Sequence, residues 1–172
     1  MPSSSEPSGR HSFAIATVCL GNICRSPMAA AVLRTRLADA GLADQVAVES
    51  FGTAGWHAGE GADPRAVQVL QDRGYDGRHS ARRVTTDAAK QVDLILAMDS
   101  SNYVDLRAIL GADLRLRMFL EFHPDLIGIT PPSVRLDTPD PYYGPLSGFV
   151  DVLELLEPAA DGVVEFVQSR LG

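Results

Sequence analysis

From Phe13 onward the chain alternates short apolar runs with longer stretches whose apolar residues recur every three or four positions. FAIATVC (residues 13–19) is apolar and rich in β-branched residues, the pattern of a strand buried on both faces. SPMAAAVLRTRLADAG follows. Ala29, Val32, Leu33, Leu37 and Ala40 form its helical stripe, with Ser26 expected as N-cap, Pro27 at the first helical position and Gly41 as the stop. Residues 46–50 (VAVES) predict a second strand. Asp63 and Pro64 open a helix through Arg73, with Val67 and Leu70 inward and Gly74 ending it. Residues 92–98 (VDLILAM) predict a third strand. SSNYVDLRAIL predicts a helix capped by Ser100 or Ser101 and ended by Gly111. Residues 114–120 (LRLRMFL) alternate, as an edge strand does. Residues 121–147 hold six of the eleven prolines and read as a long irregular stretch, which in a compact domain is usually functional. Residues 149–171 form a final amphipathic helix that Pro158 is expected to kink or split. Strands alternating with helices predict an α/β fold: a small doubly wound sandwich with a four-stranded parallel sheet and helices on both faces. Its ligand site falls at the carboxyl ends of the strands, which selects the segment after the first strand.

Residues 1–12 are Ser/Pro-rich and are expected to be a flexible tail ahead of one domain at residues 13–172. The net charge of −7 argues against nucleic acid or an anionic membrane surface as partner. No run approaches the roughly 18 apolar residues of a spanning helix, and the start lacks a signal-peptide core. A cytoplasmic protein is therefore expected, with export by a route lacking a signal peptide left open. Only Lys90 is lysine against fourteen arginines, so a phosphate loop of the Walker type, which needs its own lysine, is excluded; the arginine bias matches a GC-rich bacterial source. Two cysteines five apart and four scattered histidines have no metal-ligand spacing, so neither metal nor other cofactor is expected.

The chemistry concentrates in Cys19-Leu20-Gly21-Asn22-Ile23-Cys24-Arg25-Ser26, between a strand end and a helix start. A loop there turns the backbone N–H groups of residues 20–25 into one concavity, an oxyanion cradle reinforced by the helix N-terminus. Gly21 and Asn22 tolerate the left-handed conformation that a tight loop demands. A cysteine at such a place is expected to ionise more readily than a free one, giving the reactive thiolate. Arg25 can grip two phosphate oxygens in its planar fork, and Ser26 can donate its hydroxyl to the sulfur. Nucleophile, cradle and fork together are what displacement at phosphorus needs. A general acid must also serve a poor leaving group. Asp140, between Pro139 and Pro141, and Asp137 are equal candidates on the residues alone.

CLGNICRSP resembles the signature of the low-molecular-weight protein tyrosine phosphatases of bacterial type. The resemblance continues in family order through Gly52-Thr53-Ala54-Gly55-Trp56-His57, His79-Ser80-Ala81-Arg82, Met98-Asp99-Ser100-Ser101-Asn102 and Asp140-Pro141-Tyr142-Tyr143-Gly144. It implies that Cys19 attacks phosphorus to form a phosphocysteine and that Arg25 holds the phosphate. It implies too that Asp140, rather than Asp137, protonates the leaving phenol and then helps activate water. By the same resemblance Asn22, Ser50 and His79 brace the loop, and Trp56, Tyr142 and Tyr143 wall a cleft for an aryl ring. Cys24 would pair reversibly with Cys19; its plainer reading is a small buried hydrophobe. For His79 the plainer reading is a surface histidine, and for Asp99 a helix-start residue.

Ile23 favours phosphotyrosine, since family members acting on phosphoarginine tend to carry Thr there. Arsenate reduction on the same fold needs further cysteines downstream, and none follows Cys24. A silent phosphate-binding module would be expected to lose Cys19, Arg25 or Asp140. Expected partners are phosphotyrosine proteins, with phosphate or other oxyanions as inhibitors, and a monomer or weak dimer as the working form.

Overall fold

Each apolar run from the sequence becomes a strand, and each strand lies parallel to its neighbours. The structure, a computed structural model, describes residues 11–172, so the expected tail falls outside the described residues except for residues 11 and 12. In chain order the elements are β1 (Phe13–Cys19), α1 (Arg25–Asp39), β2 (Val46–Gly52), α2 (Pro64–Asp72), α3 (Thr86–Lys90), β3 (Leu94–Ala97), α4 (Ser100–Leu110), β4 (Leu116–Met118) and α5 (Leu146–Leu171). Three 3₁₀ turns, Phe119–Phe122, Pro124–Leu126 and Val134–Leu136, give local order to the proline-rich stretch.

The sheet runs β2-β1-β3-β4, all parallel, with β4 at an edge. Alternate residues of the strands enter two cores. Ile15, Leu94 and Leu96 pack with α1 and α5 on one face, while Ala16, Val18, Ile95 and Ala97 pack with Ala89 and Leu106 on the other. This double burial explains why β1 and β3 read as continuous apolar runs. β1 has β2 on one side and β3 on the other, so successive connections leave it in opposite directions. The carboxyl end of β1 is thus a topological switch point, where open α/β sheets place their ligand crevice.

Several boundaries differ from the sequence reading. α1 begins at Arg25, with Cys24 in the cap position and no side-chain cap, so Ser26 lies inside the helix instead of capping it. Pro27 still costs nothing, since the N–H groups of the first turn have no intrahelical partner. Asp99, not Ser100 or Ser101, caps α4, in a reciprocal box with Asn102. On α2 the inward residues are Ala66, Val69 and Leu70, and Val67 is half-buried. β3 and β4 are shorter than their apolar runs: Leu114 is 99% exposed, and Phe119 already turns into 3₁₀ geometry. The five-residue α3, capped by Thr85, is too short to show a periodicity.

α5 starts earlier than expected and passes through Pro158 unbroken. A proline inside a helix costs about 3 kcal/mol. Phe149, Val152, Leu153 and Leu156 before it and Val163 and Val167 after it are fully buried. At roughly 1.5–3 kcal/mol per large apolar side chain, that stripe outweighs the proline. Where α5 crosses the first 3₁₀ turn, a Cβ on Gly162 would lie 2.1 Å from the Phe122 carbonyl oxygen, so only glycine permits the approach.

Candidate active site

The loop between β1 and α1 is built around Asn22. This residue has φ of 59°, the left-handed conformation that Asn tolerates better than most. Gly21, expected to share that conformation, has no positive φ among the described residues; one left-handed residue suffices to close the turn. Its small size still matters, because a Cβ there would sit 3.2 Å from the His57 ring. The Asn22 side chain points behind the loop and is wholly buried. It donates to Ser26 Oγ at 2.8 Å and Ser50 Oγ at 3.1 Å, and accepts from the Arg82 backbone N–H at 2.9 Å. His79 Nε2 lies 2.6 Å from the Asn22 carbonyl oxygen, which can only accept, so this nitrogen carries the proton. Burial pushes His79 below its ordinary value; the Asn22 bond opposes this, and Arg34 and Arg82 reinforce it. Thus Asn22, Ser50 and His79 are brought together behind the loop. Gly52, at the end of β2, permits a second close approach: a Cβ would lie 2.7 Å from the Leu20 carbonyl oxygen.

Cys19 is buried at the floor of this loop. Its Sγ receives the Asn22 N–H at 3.3 Å and lies 3.0 Å from Ser26 Oγ. Asn22 already donates to that hydroxyl, so the Ser26 proton can point at the sulfur or at the Phe51 carbonyl 3.4 Å away. Cys24 is also a free thiol. Burial, then Asp63, Cys19 and Asp140, push it up to about 12. It is a neutral thiol in a mostly apolar setting, as a buried cysteine usually is.

Arg25 is buried as well. Its Nη1 donates to Asp99 Oδ2 at 2.6 Å and to the Thr138 carbonyl at 3.0 Å, while Nη2 lies 3.7 Å from Asp140 Oδ2. Burial opposes its charge, but Cys19, the Asp99 bond and charge, and Asp140 together raise it above its ordinary value. Asp99 therefore does two things: Oδ1 caps α4 through Asn102 N–H, and Oδ2 orients Arg25.

The two candidate acids are now distinguishable by position. Asp137 Oδ1 accepts from both the N–H and the hydroxyl of Ser100, at 2.8 and 2.7 Å, and faces the start of α4. Asp140 lines the cleft over Cys19, half-exposed, with Oδ1 accepting from the Tyr142 N–H at 3.1 Å. The cleft has a volume of about 180 Å3. Its apolar walls are Leu20, Ile23, Trp56, Tyr142 and Tyr143, and His57, not singled out from the sequence, joins them. Tyr142 and Tyr143 meet edge to face at 4.8 Å, and Trp56 is 72% exposed at the rim. Asp63, Arg65 and Thr138 were also missed. Their contacts to the site cross many residues of chain, and no local pattern announces them.

A buried cysteine and arginine on a strand-to-helix loop lining a crevice make an arrangement suited to oxyanion binding and phosphoryl transfer. Residues 14–171 match the family model described as low molecular weight phosphotyrosine protein phosphatase. The chain belongs to this family. It is 41% identical over 162 residues to the low molecular weight protein-tyrosine-phosphatase of Streptomyces coelicolor, covering 92% of this chain and 96% of that one. It is 40% identical over 154 residues to low molecular weight protein-tyrosine phosphatase A of Mycobacterium tuberculosis, covering 90% and 91%. The crystal structure of a protein tyrosine phosphatase from Entamoeba histolytica, with Hepes in its active site, superposes with a TM-score of 0.82 at 32% identity, covering 94% of this chain and all of that one.

Proposed function

We propose that this chain hydrolyses phosphotyrosine and other aryl phosphates through a phosphocysteine. The observation that carries the reading is Cys19 Sγ on the cleft floor, with Arg25 beside it and the Asp140 carboxyl on the opposite wall. In the first step the Cys19 thiolate attacks phosphorus. The P–S bond forms as the bond to the phenol oxygen breaks, and protonated Asp140 gives its proton to that oxygen. The N–H groups of residues 20–25 and the Arg25 fork hold the equatorial oxygens, where charge gathers. In the second step the Asp140 carboxylate takes a proton from water as the water oxygen attacks phosphorus. The P–S bond breaks, phosphate leaves and the thiolate returns. Ser26 steadies the sulfur as it leaves, and Asn22, Ser50 and His79 keep the loop in shape.

Ile23, Trp56, Tyr142 and Tyr143 give the cleft flat apolar walls, which suit a phenyl ring and offer a serine phosphate little contact. A nucleophilic thiol works only where thiols stay reduced, which supports a cytoplasmic, signalling role on phosphotyrosine proteins, as a monomer or weak dimer. The test measures phosphate release from p-nitrophenyl phosphate and from matched phosphotyrosine, phosphoserine and phosphoarginine compounds, with Cys19→Ser as control. Aryl-selective turnover that needs Cys19 is expected. Folded, reduced protein without turnover would overturn the reading, and preference for phosphoarginine would overturn its substrate class.

A further inference from the structure

Outside the cleft, one pair of side chains joins its two walls. Asp63 is buried at the start of α2 and gives its backbone N–H to the Ile23 carbonyl of the phosphate-binding loop at 2.8 Å. Its carboxylate takes Arg65 in a two-point grip, Nε at 3.0 Å and Nη2 at 2.9 Å. The same guanidinium then reaches across the chain. Nη2 donates to the Tyr142 carbonyl at 2.9 Å, and Nη1 to the Gly144 carbonyl at 2.8 Å. Four of the five guanidinium donors are thereby committed. Its Cζ lies 4.5 Å from the centre of the Phe149 ring on α5, a cation–π contact.

Tyr142 is the residue whose N–H orients Asp140, at 3.1 Å from Oδ1. Asp140 itself has an otherwise open surround: its other oxygen is 3.7 Å from Arg25, and its side chain is 47% exposed. The segment before it is held by Thr138 N–H on the Met98 carbonyl and by Asp137 on Ser100. Among the described residues, the side-chain hydrogen bonds that reach the segment after it from elsewhere in the chain come from Arg65. The carboxylate end of the pair is buried, so the guanidinium is held in place while its other contacts reach Tyr142 and Gly144.

We infer that Asp63 and Arg65 form a positioning strap, running from the phosphate-binding loop to Tyr142 and Gly144, that sets the Asp140 carboxyl at the leaving oxygen. Arg65 does not line the cleft or reach the reacting atoms; it acts through Tyr142, whose carbonyl it holds and whose ring centre is 5.8 Å from its Cζ. Lysine cannot replace it, because one ammonium cannot grip a carboxylate at two points and span two carbonyls. The inference rests on the phosphatase reading above.

The test follows kcat/KM for Arg65→Ala and Arg65→Lys, each alone and combined with Asp140→Asn. Phenyl phosphate supplies a poor leaving group and 2,4-dinitrophenyl phosphate a good one. kcat/KM covers transfer to Cys19, the step in which the phenol departs. Arg65→Ala is expected to lose about tenfold on phenyl phosphate and no more than about twofold on the dinitrophenyl ester, because a misaimed acid matters only where a proton is needed. Arg65→Lys shows the same tilt with a smaller loss, and decides the matter if the alanine variant fails to fold. Once Asp140 is Asn, neither Arg65 change costs more than about a further twofold. Equal losses on both esters, or a full loss carried into the Asp140→Asn protein, would mean a merely structural arginine and overturn the strap alone. A wild-type chain without turnover would overturn the phosphatase reading and the strap with it.

Discussion

The two walls of the cleft are held in opposite ways. The phosphate-binding loop is short, buried and braced from directly behind: Asn22 reaches Ser26, Ser50 and Arg82, and His79 takes its carbonyl. The Asp140 wall is exposed and proline-rich, and it is tied to the body by distant groups: Met98, Ser100 and Arg65. The difference teaches where each kind of precision comes from. A nucleophile that must sit among converging amides needs a rigid nest. On the proposed mechanism, an acid that must serve a bulky substrate needs an opening, and tethers outside the cleft would set its aim.

Substitutions can break this contrast. The largest effect is expected at the nest itself: Cys19→Ser should bring aryl phosphate turnover below detection while circular dichroism shows an unchanged fold, since Ser fills the same space. Next comes Asp140→Asn, which should lower kcat/KM by about 10²- to 10⁴-fold, most for poor leaving groups. Competitive inhibition by phosphate should barely change, because the nest holds the anion. Comparable loss of phosphate binding would show that the two walls are not separable. Asn22→Ala should then cost about 2 kcal/mol in urea unfolding and roughly tenfold in kcat/KM, as buried partners lose their bonds and an alanine must adopt positive φ.

The smallest effect is a pH dependence. His79 titrates lower in the folded chain than unfolded, so the unfolded state binds its proton more readily. Its contribution to stability is whole above its ordinary value of about 6.5 and is lost as pH falls toward the folded value. Thermal unfolding between about pH 7 and pH 5 should therefore show a steeper loss for wild type than for His79→Gln. Parallel slopes would mean that His79 does not couple loop and fold in this way.

The same contrast marks what the sequence could say. The nest was legible because its parts are contiguous, strand, loop and helix start in order, and its strand runs are apolar on both faces. The helix cap was not: Ser26 looked like a cap because the chemistry suits it, yet its hydroxyl lies 3.0 Å from the sulfur and the helix starts at Arg25. Asp99 reads from the sequence as a helix-start residue, and it also orients Arg25, since a carboxylate has two oxygens and they face different partners. Asp137 and Asp140 were equal on composition, and only tertiary placement separates them. Arg65 carried no signal, because its donors meet carbonyls contributed by a segment beyond β4. Pro158 misled for a related reason: a local cost was visible, and the packing that offsets it was not.

The resistance of Cys24 to ionisation also bears on labelling chemistry. Cys24, pushed up to about 12 by burial and its acidic neighbours, stays a neutral thiol at pH 8. An alkylating reagent of modest size should consequently mark this chain once, at Cys19, and intact-mass measurement should count a single adduct. Added phosphate should slow that adduct by filling the cradle above the sulfur. A reagent count thus becomes a titration of folded, unoccupied sites, readable without any substrate.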